Sequence, residues 1–193
     1  MINTVPSPPT ENTDENHTNI QLMRLIAQDD QQALRILVTK WQAPLINYFY
    51  RSLKNYQTAE DLTQSVFIRL YRNARTYQPT ARFTTYLFHI ARNVLLNEHR
   101  RQHRKPAHLY DTTTDPLQLP DKNDSQRRCA DIEEAFANAL VNLTENQRTA
   151  LLLHKQQDLG YEEIARIMNA TIPLIKAWIF RGRQKLRNIL RDL

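Results

Sequence analysis

Apolar positions recur every three or four residues through most of the chain, which is the spacing of amphipathic helices and not of strands. Ile20 to Ala27 is a short periodic segment. Asp29 and Asp30 are natural N-caps for a second segment, Gln31 to Leu53, which Pro44 is placed to kink or split. Thr58-Ala-Glu-Asp61 has the form of a capping box and opens a helix to about Arg75. Tyr77 to Phe83 is a loop, and Thr84 or Thr85 starts a helix to about His103. Further on, Asp131 to Val141 is periodic. Thr144-Glu-Asn-Gln147 is a second capping box, for a helix to about Gln156. Gly160 precedes a short helix, Tyr161 to Met168. Asn169-Ala170-Thr171 is a three-residue turn before a last helix from Ile172 or Pro173 to the end.

Composition agrees with an all-α fold. Glycine occurs only at Gly160 and Gly182, too rarely for a multi-stranded sheet or a glycine-rich phosphate loop. No apolar run is long enough to span a membrane. Lys105 to Arg127 breaks the periodicity with Pro106, Pro116, Pro120 and a threonine run, which marks a linker. The expected organisation is a disordered tail at 1–19, a helical domain at 20–105, a flexible linker at 106–129 and a second helical domain at 130–193. The single cysteine, Cys129, forms no internal disulfide and suits a reducing, cytoplasmic setting. No cysteine–histidine cluster supplies a zinc site, and no cofactor is expected. No nucleophile–base pair suggests an enzyme.

Charge changes the picture through its position. The net charge of +6 is modest. Most of the excess lies in Arg92 to Lys105 and Lys176 to Leu193, both within helical patterns. A short helix, a three-residue turn and a longer basic helix form a helix-turn-helix pattern. At about 100° per residue, Ile179, Gly182, Leu186, Ile189 and Leu193 fall within about 40° of Ile175 and make the buried stripe. Lys176, Ala177, Phe180 and Arg181 lie opposite. An aromatic there can meet a thymine methyl, and the cations reach phosphates or guanine edges.

The first domain has two candidate surfaces. In the helix from Thr58, Ala59, Leu62, Val66 and Leu70 form the core stripe, and Asp61, Gln64 and Ile68 lie opposite as a docking face for a protein. In the helix from Thr84, the core face is Leu87, Ile90, Ala91, Val94 and Leu95. Asn93, Asn97, Arg100, Arg101 and Arg104 form a stripe that turns basic, preceded by Tyr77, Phe83, Tyr86 and Phe88. Rings beside cations suit single-stranded nucleic acid, where bases stack and phosphates pair. Phe88 is expected to be shared or buried, and Tyr86 is the better candidate for exposure.

Three runs resemble the sigma factors of bacterial RNA polymerase, in the extracytoplasmic-function branch. They are Ala59-Glu-Asp-Leu-Thr-Gln-Ser-Val-Phe-Ile-Arg-Leu70, Phe83-Thr-Thr-Tyr-Leu-Phe-His-Ile-Ala-Arg-Asn93 with His99-Arg-Arg101, and the set Leu143 to Arg148, Tyr161 to Ala165 and Arg181 to Arg183. The resemblance covers about residues 20–193, with the linker matching in position only. It implies a region 2-like bundle and a region 4-like helix-turn-helix domain. The partners it implies are core polymerase, through the clamp helices of the largest subunit and the flap region, then promoter DNA, and an anti-sigma protein. Asp61, Gln64 and Phe67 match the family's polymerase-docking motif, with Leu62 as internal support. Tyr77, Phe83, Tyr86, Asn93, Asn97, Arg100, Arg101 and Arg104 would serve the melted minus-ten element. Thr171, Lys176, Ala177, Phe180, Arg181 and Arg183 would serve the minus-thirty-five duplex. There are departures. Ser65 stands where the family usually has Glu, Tyr86 where Trp is common, and Leu174, Ala177 and Trp178 where Thr, Ser and Arg are usual. The residues also fit a second reading, an autonomous helix-turn-helix regulator whose first domain dimerises or senses a signal.

Overall fold

The computed structural model describes residues 13–104, 136 and 138–191. Residues 1–12, the linker at 106–129 with Cys129, the first residues of the second domain and Leu193 lie outside the described residues. All regular structure among the described residues is helical. The first bundle contains α1 (Thr13–Ile26), α2 (Gln31–Leu53), α3 (Tyr56–Asn73), a 3-10 turn (Ala74–Thr76) and α4 (Phe83–Arg104). The second contains a helical stretch at 138–141, α5 (Glu145–Gln156), α6 (Tyr161–Met168) and α7 (Ile172–Arg191).

The expected tail at 1–19 is corrected in its last part. Residues 13–19 belong to α1. Polar side chains there have work that apolar periodicity does not reveal. Asn16 Oδ1 accepts the backbone N–H of Phe83 at 2.8 Å, which satisfies the first residue of α4 from another helix. Asn19 is fully buried and accepts Lys40 Nζ at 3.2 Å.

Helix starts follow capping chemistry. Asp30 caps α2 by accepting the N–H groups of Gln32 and Ala33. Asp29 does not cap. It sits in the left-handed region, where Asp is tolerated, at φ 63°. Pro44 is accommodated inside a continuous α2. Helix α3 begins at Tyr56, two residues before the expected box, because Asn55 accepts the N–H of Thr58. Helix α5 has the expected reciprocal box of Thr144 and Gln147. In α6 the Glu163 side chain accepts the N–H of Gly160 at 3.0 Å.

The expected stripes are buried, except that Ile189 is half-buried and Leu193 lies outside the described residues. Ala59, Leu62, Val66 and Leu70 from α3 meet Leu87, Ile90, Ala91, Val94 and Leu95 from α4 over Trp41, Tyr48 and Phe49 of α2. In the second bundle Ile175, Ile179, Gly182 and Leu186 pack on α5. Gly182 lies so close to α5 that a Cβ would come within 2.5 Å of Leu151 Cδ1.

The two bundles touch. Arg148 of α5 donates through Nε to the carbonyl of Leu140 at 2.9 Å. Its Nη2 donates to the carbonyls of Val141 and Leu143, at 2.9 and 3.1 Å. Its Nη1 crosses to the carbonyl of Ser52 at the end of α2. Lys54 Nζ reaches Asn138 Oδ1. A second seam runs between α4 and α6, where Thr85 Oγ1 donates to Glu163 Oε1 at 3.1 Å and Arg82 pairs with the same oxygen at 3.7 Å.

Candidate nucleic-acid interface

The sequence-expected residues fall on three surfaces. On α3, Asp61, Gln64 and Ile68 are exposed side by side, Ile68 at 51%. An aliphatic side chain this open between polar neighbours is available for contact. Phe67 lies at the rim of the core with only 9% of its surface exposed. Leu62 is buried, as internal support requires. Ser65, in the place of the family's acid, donates its hydroxyl to the carbonyl of Asp61. At the far end of this helix Asp29 accepts Tyr71 Oη at 3.0 Å and Arg75 Nη2 at 2.6 Å. The Tyr71 hydroxyl, and next the Arg75 guanidinium, hold the Asp29 carboxyl below its ordinary range.

The second surface is a cleft of about 230 Å³ at the start of α4. Tyr77, Gln78, Thr80, Ala81, Thr85, Tyr86 and His89 line it from the first bundle, and Arg166 and Ile167 from α6. The rings of Tyr77 and Tyr86 lie 4.7 Å apart, tilted by 48°. Both are half-buried. Burial pushes the Tyr86 phenol above its ordinary pKa, with a hydrogen bond from Asn73 opposing. Phe83 is different. It is fully buried, 5.8 Å from the Trp41 ring, and supports Tyr86 from behind at 6.5 Å. Its position inside the core removes it from direct contact with a base. Phe88 is buried, as expected.

Beyond the cleft the polar stripe of α4 continues. Asn93 is half-buried, and Asn97, Arg100 and Arg104 are exposed. Arg101 is already engaged. It forks onto the buried Glu98 at 2.7 and 2.9 Å, and Glu98 raises its pKa. The fork fixes Arg101 against its own helix, so Arg100 and Arg104 are the more available cations on this face.

The third surface is α7. A left-handed Asn169, φ 49°, ends α6 and turns the chain. Thr171, Lys176, Phe180, Arg181 and Arg183 are exposed, Phe180 at 62%, and Ala177 is half-exposed. Lys176 Nζ stands 5.6 Å from the Tyr161 ring centre. Trp178 packs partly against the core. From Ile172 to Arg191 there is no acidic residue, so the helix presents one sign of charge.

Residues 37–105 match the family model for Sigma-70 region 2, and residues 133–186 match that for Sigma-70 region 4. The chain is 31% identical to the ECF RNA polymerase sigma factor SigM of Bacillus subtilis, over 74% of this chain and 88% of that one. This chain belongs to the extracytoplasmic-function sigma factors. It is also 28% identical to the ECF RNA polymerase sigma-E factor of Haemophilus influenzae, over 93% of this chain and 98% of that one. Its fold resembles that of the sigma factor RpoE from Bartonella quintana, solved with the anti-sigma factor NepR. The TM-score is 0.63 and the identity 23%, over 85% of this chain and 98% of that one. As a sigma factor it acts in transcription initiation, with core RNA polymerase and promoter DNA as partners. No helix among the described residues is long and apolar enough to cross a membrane.

Spacing in the sequence did not reveal three of the residues that organise these surfaces. Arg148 lies within a family-like run, but its role depends on carbonyls that no periodicity marks. Glu163 accepts the Gly160 N–H at the start of α6 and also joins the seam to α4, and neither role was expected from the sequence. Asp29 reads as a cap and instead holds Tyr71 and Arg75.

Proposed function

We propose that this sigma factor divides promoter recognition between its two bundles. The α3 face of Asp61, Gln64 and Ile68, with Phe67 at its rim, docks on the clamp helices of core polymerase. The cleft at the start of α4 takes an unpaired base of the minus-ten element, stacked on Tyr86 beside Tyr77. Stacking of this kind is worth about 1–3 kcal/mol per base and offsets the few kcal/mol that extraction costs. Asn93, Asn97, Arg100 and Arg104 follow the strand beyond it, with Arg101 held in place by Glu98. Helix α7 enters the major groove of the minus-thirty-five duplex. The chain works in the cytoplasm as a binding factor with no catalysis of its own. An anti-sigma protein, as seen with the Bartonella relative, is the partner that restrains it.

The observation that carries this reading is the pair of unlike surfaces on one chain. A half-buried tyrosine cleft beside a cationic helix suits melted strand, and an exposed cationic helix of a helix-turn-helix suits duplex. Arg166 and Ile167 of α6 stand over the cleft, so a base enters when α6 withdraws from α4. The test places 2-aminopurine at successive positions of the minus-ten element in promoter complexes formed by the reconstituted holoenzyme. The expected result is one position that brightens as it leaves the stack and is quenched again against tyrosine. Tyr86→Ala should abolish the quenching and Tyr86→Phe should keep it. Equal signals for all three proteins would contradict the cleft assignment.

A further inference from the structure

Helix α7 offers an unusual set of side chains for reading bases. Pro173, Leu174, Ala177, Phe180 and Arg181 share one face, away from the buried Ile175, Ile179 and Leu186. Leu174 is 42% exposed and Phe180 62%. Base edges are usually told apart by bidentate hydrogen bonds from Arg, Lys, Asn, Gln, Asp or Glu. Over the helix's first half, Pro173 to Arg181, which a helix-turn-helix presents to base edges, this face has only Arg181 and, at its border, Lys176 as hydrogen-bonding side chains; the first side-chain acceptor, Gln184, comes a turn later. Lys176 flanks the face beside the Tyr161 ring. The major groove has one apolar feature that can answer such a surface, the C5 methyl of thymine.

We propose that this sigma factor reads its minus-thirty-five duplex chiefly through thymine methyl groups seated on Leu174 and Phe180, with one guanine taken by Arg181. The proposal rests on the assignment of α7 to that duplex. Leu174 and Phe180 are six residues apart, which is about 9 Å along a helix. That spans roughly two to three base steps of about 3.4 Å, so the two methyls belong to separate base pairs. Ala177 lies between them, and its small side chain lets the helix axis sit deep in the groove. A protein partner could also cover exposed Leu and Phe. The absence of any acid from Ile172 to Arg191, with Lys176, Arg181, Arg183, Lys185 and Arg187 around the patch, favours a polyanion.

The test uses the full chain reconstituted with core polymerase on a promoter mapped for it. Every thymine of the minus-thirty-five region is replaced by uracil, which removes only the methyl. Each buried methyl should contribute about fourfold in affinity, so two should give about fifteenfold weaker binding. Leu174→Ala and Phe180→Ala are exposed-site variants that should bind the thymine duplex less well and each lose part of the thymine–uracil difference. Arg181→Ala should weaken both duplexes and leave that difference intact. Equal binding of the thymine and uracil duplexes, with Arg181→Ala still impaired, would overturn methyl reading and leave α7 as the duplex reader. If scrambling the whole minus-thirty-five region changes nothing, the assignment of α7 falls, and this proposal with it.

Discussion

Removing the Arg148 side chain tests how the second bundle is held together. Its guanidinium donates to the carbonyls of Leu140, Val141 and Leu143 within its own bundle, and to Ser52 of the first. Those three carbonyls close the helical stretch at 138–141, where a helix end leaves acceptors without intrahelical partners. Burial pulls the Arg148 guanidinium below its ordinary pKa, a sign that charge is being held out of water to make these bonds. A hydrogen bond to a charged donor contributes about 1.5–3 kcal/mol net, and water regains some carbonyls when the side chain goes. Arg148→Ala should therefore cost about 2–4 kcal/mol, from four bonds that are only partly replaced. Arg148→Lys keeps the charge without the planar fork and should recover less than half of the loss. Urea denaturation followed by circular dichroism reads the change through the midpoint at constant slope. The slope matters because parting of the bundles before unfolding would alter it. A loss below about 0.5 kcal/mol, the range of an ordinary surface change, would refute the clamp.

Three further outcomes follow from the same geometry. The Asp29 carboxyl should titrate below an ordinary Asp in an NMR pH series, and both Tyr71→Phe and Arg75→Ala should move it back up. Because its folded pKa is depressed, its contribution to stability is present above the unfolded value near 3.9 and is lost as pH falls through the folded one. Asp61→Ala and Gln64→Ala should each weaken core-polymerase binding, by about 1–2 kcal/mol if the face is central to the contact, with thermal melting unchanged. Glu163→Arg should part α4 from α6, read as a broader spin-label distance distribution between the bundles. Glu162→Arg, with the same change of charge on the exposed neighbour, should not.

Apolar periodicity located the helices well because burial of one face decides where a helix forms. The α3, α4 and α7 stripes were legible for that reason, and so was the box of Thr144 and Gln147. Helix starts set by other means were not. Asn55 caps α3 from outside the expected box, and Asn16 satisfies α4 from sixty-seven residues away. The helical residues 13–19 were missed because their anchors, Asn16 and Asn19, are polar, and polarity reads as solvent exposure. Aromatic residues show the same limit. Tyr77, Phe83 and Tyr86 look alike in sequence, yet Phe83 sits under Trp41 in the core while the tyrosines line a cleft. Arg101 and Arg104 likewise share a stripe, and only the buried Glu98 separates them. The seam between the bundles depends on contacts such as Thr85 with Glu163, which no local pattern encodes.

Two surfaces of one chain, acting with core polymerase, should open one class of promoter. Run-off transcription with purified core and this chain tests it most directly, on templates altered separately in the minus-ten and minus-thirty-five elements. Discrete transcripts should require core and this chain together and be lost when either element is changed. Transcripts that do not depend on the chain, or tight operator binding by the chain alone as a dimer, would contradict it.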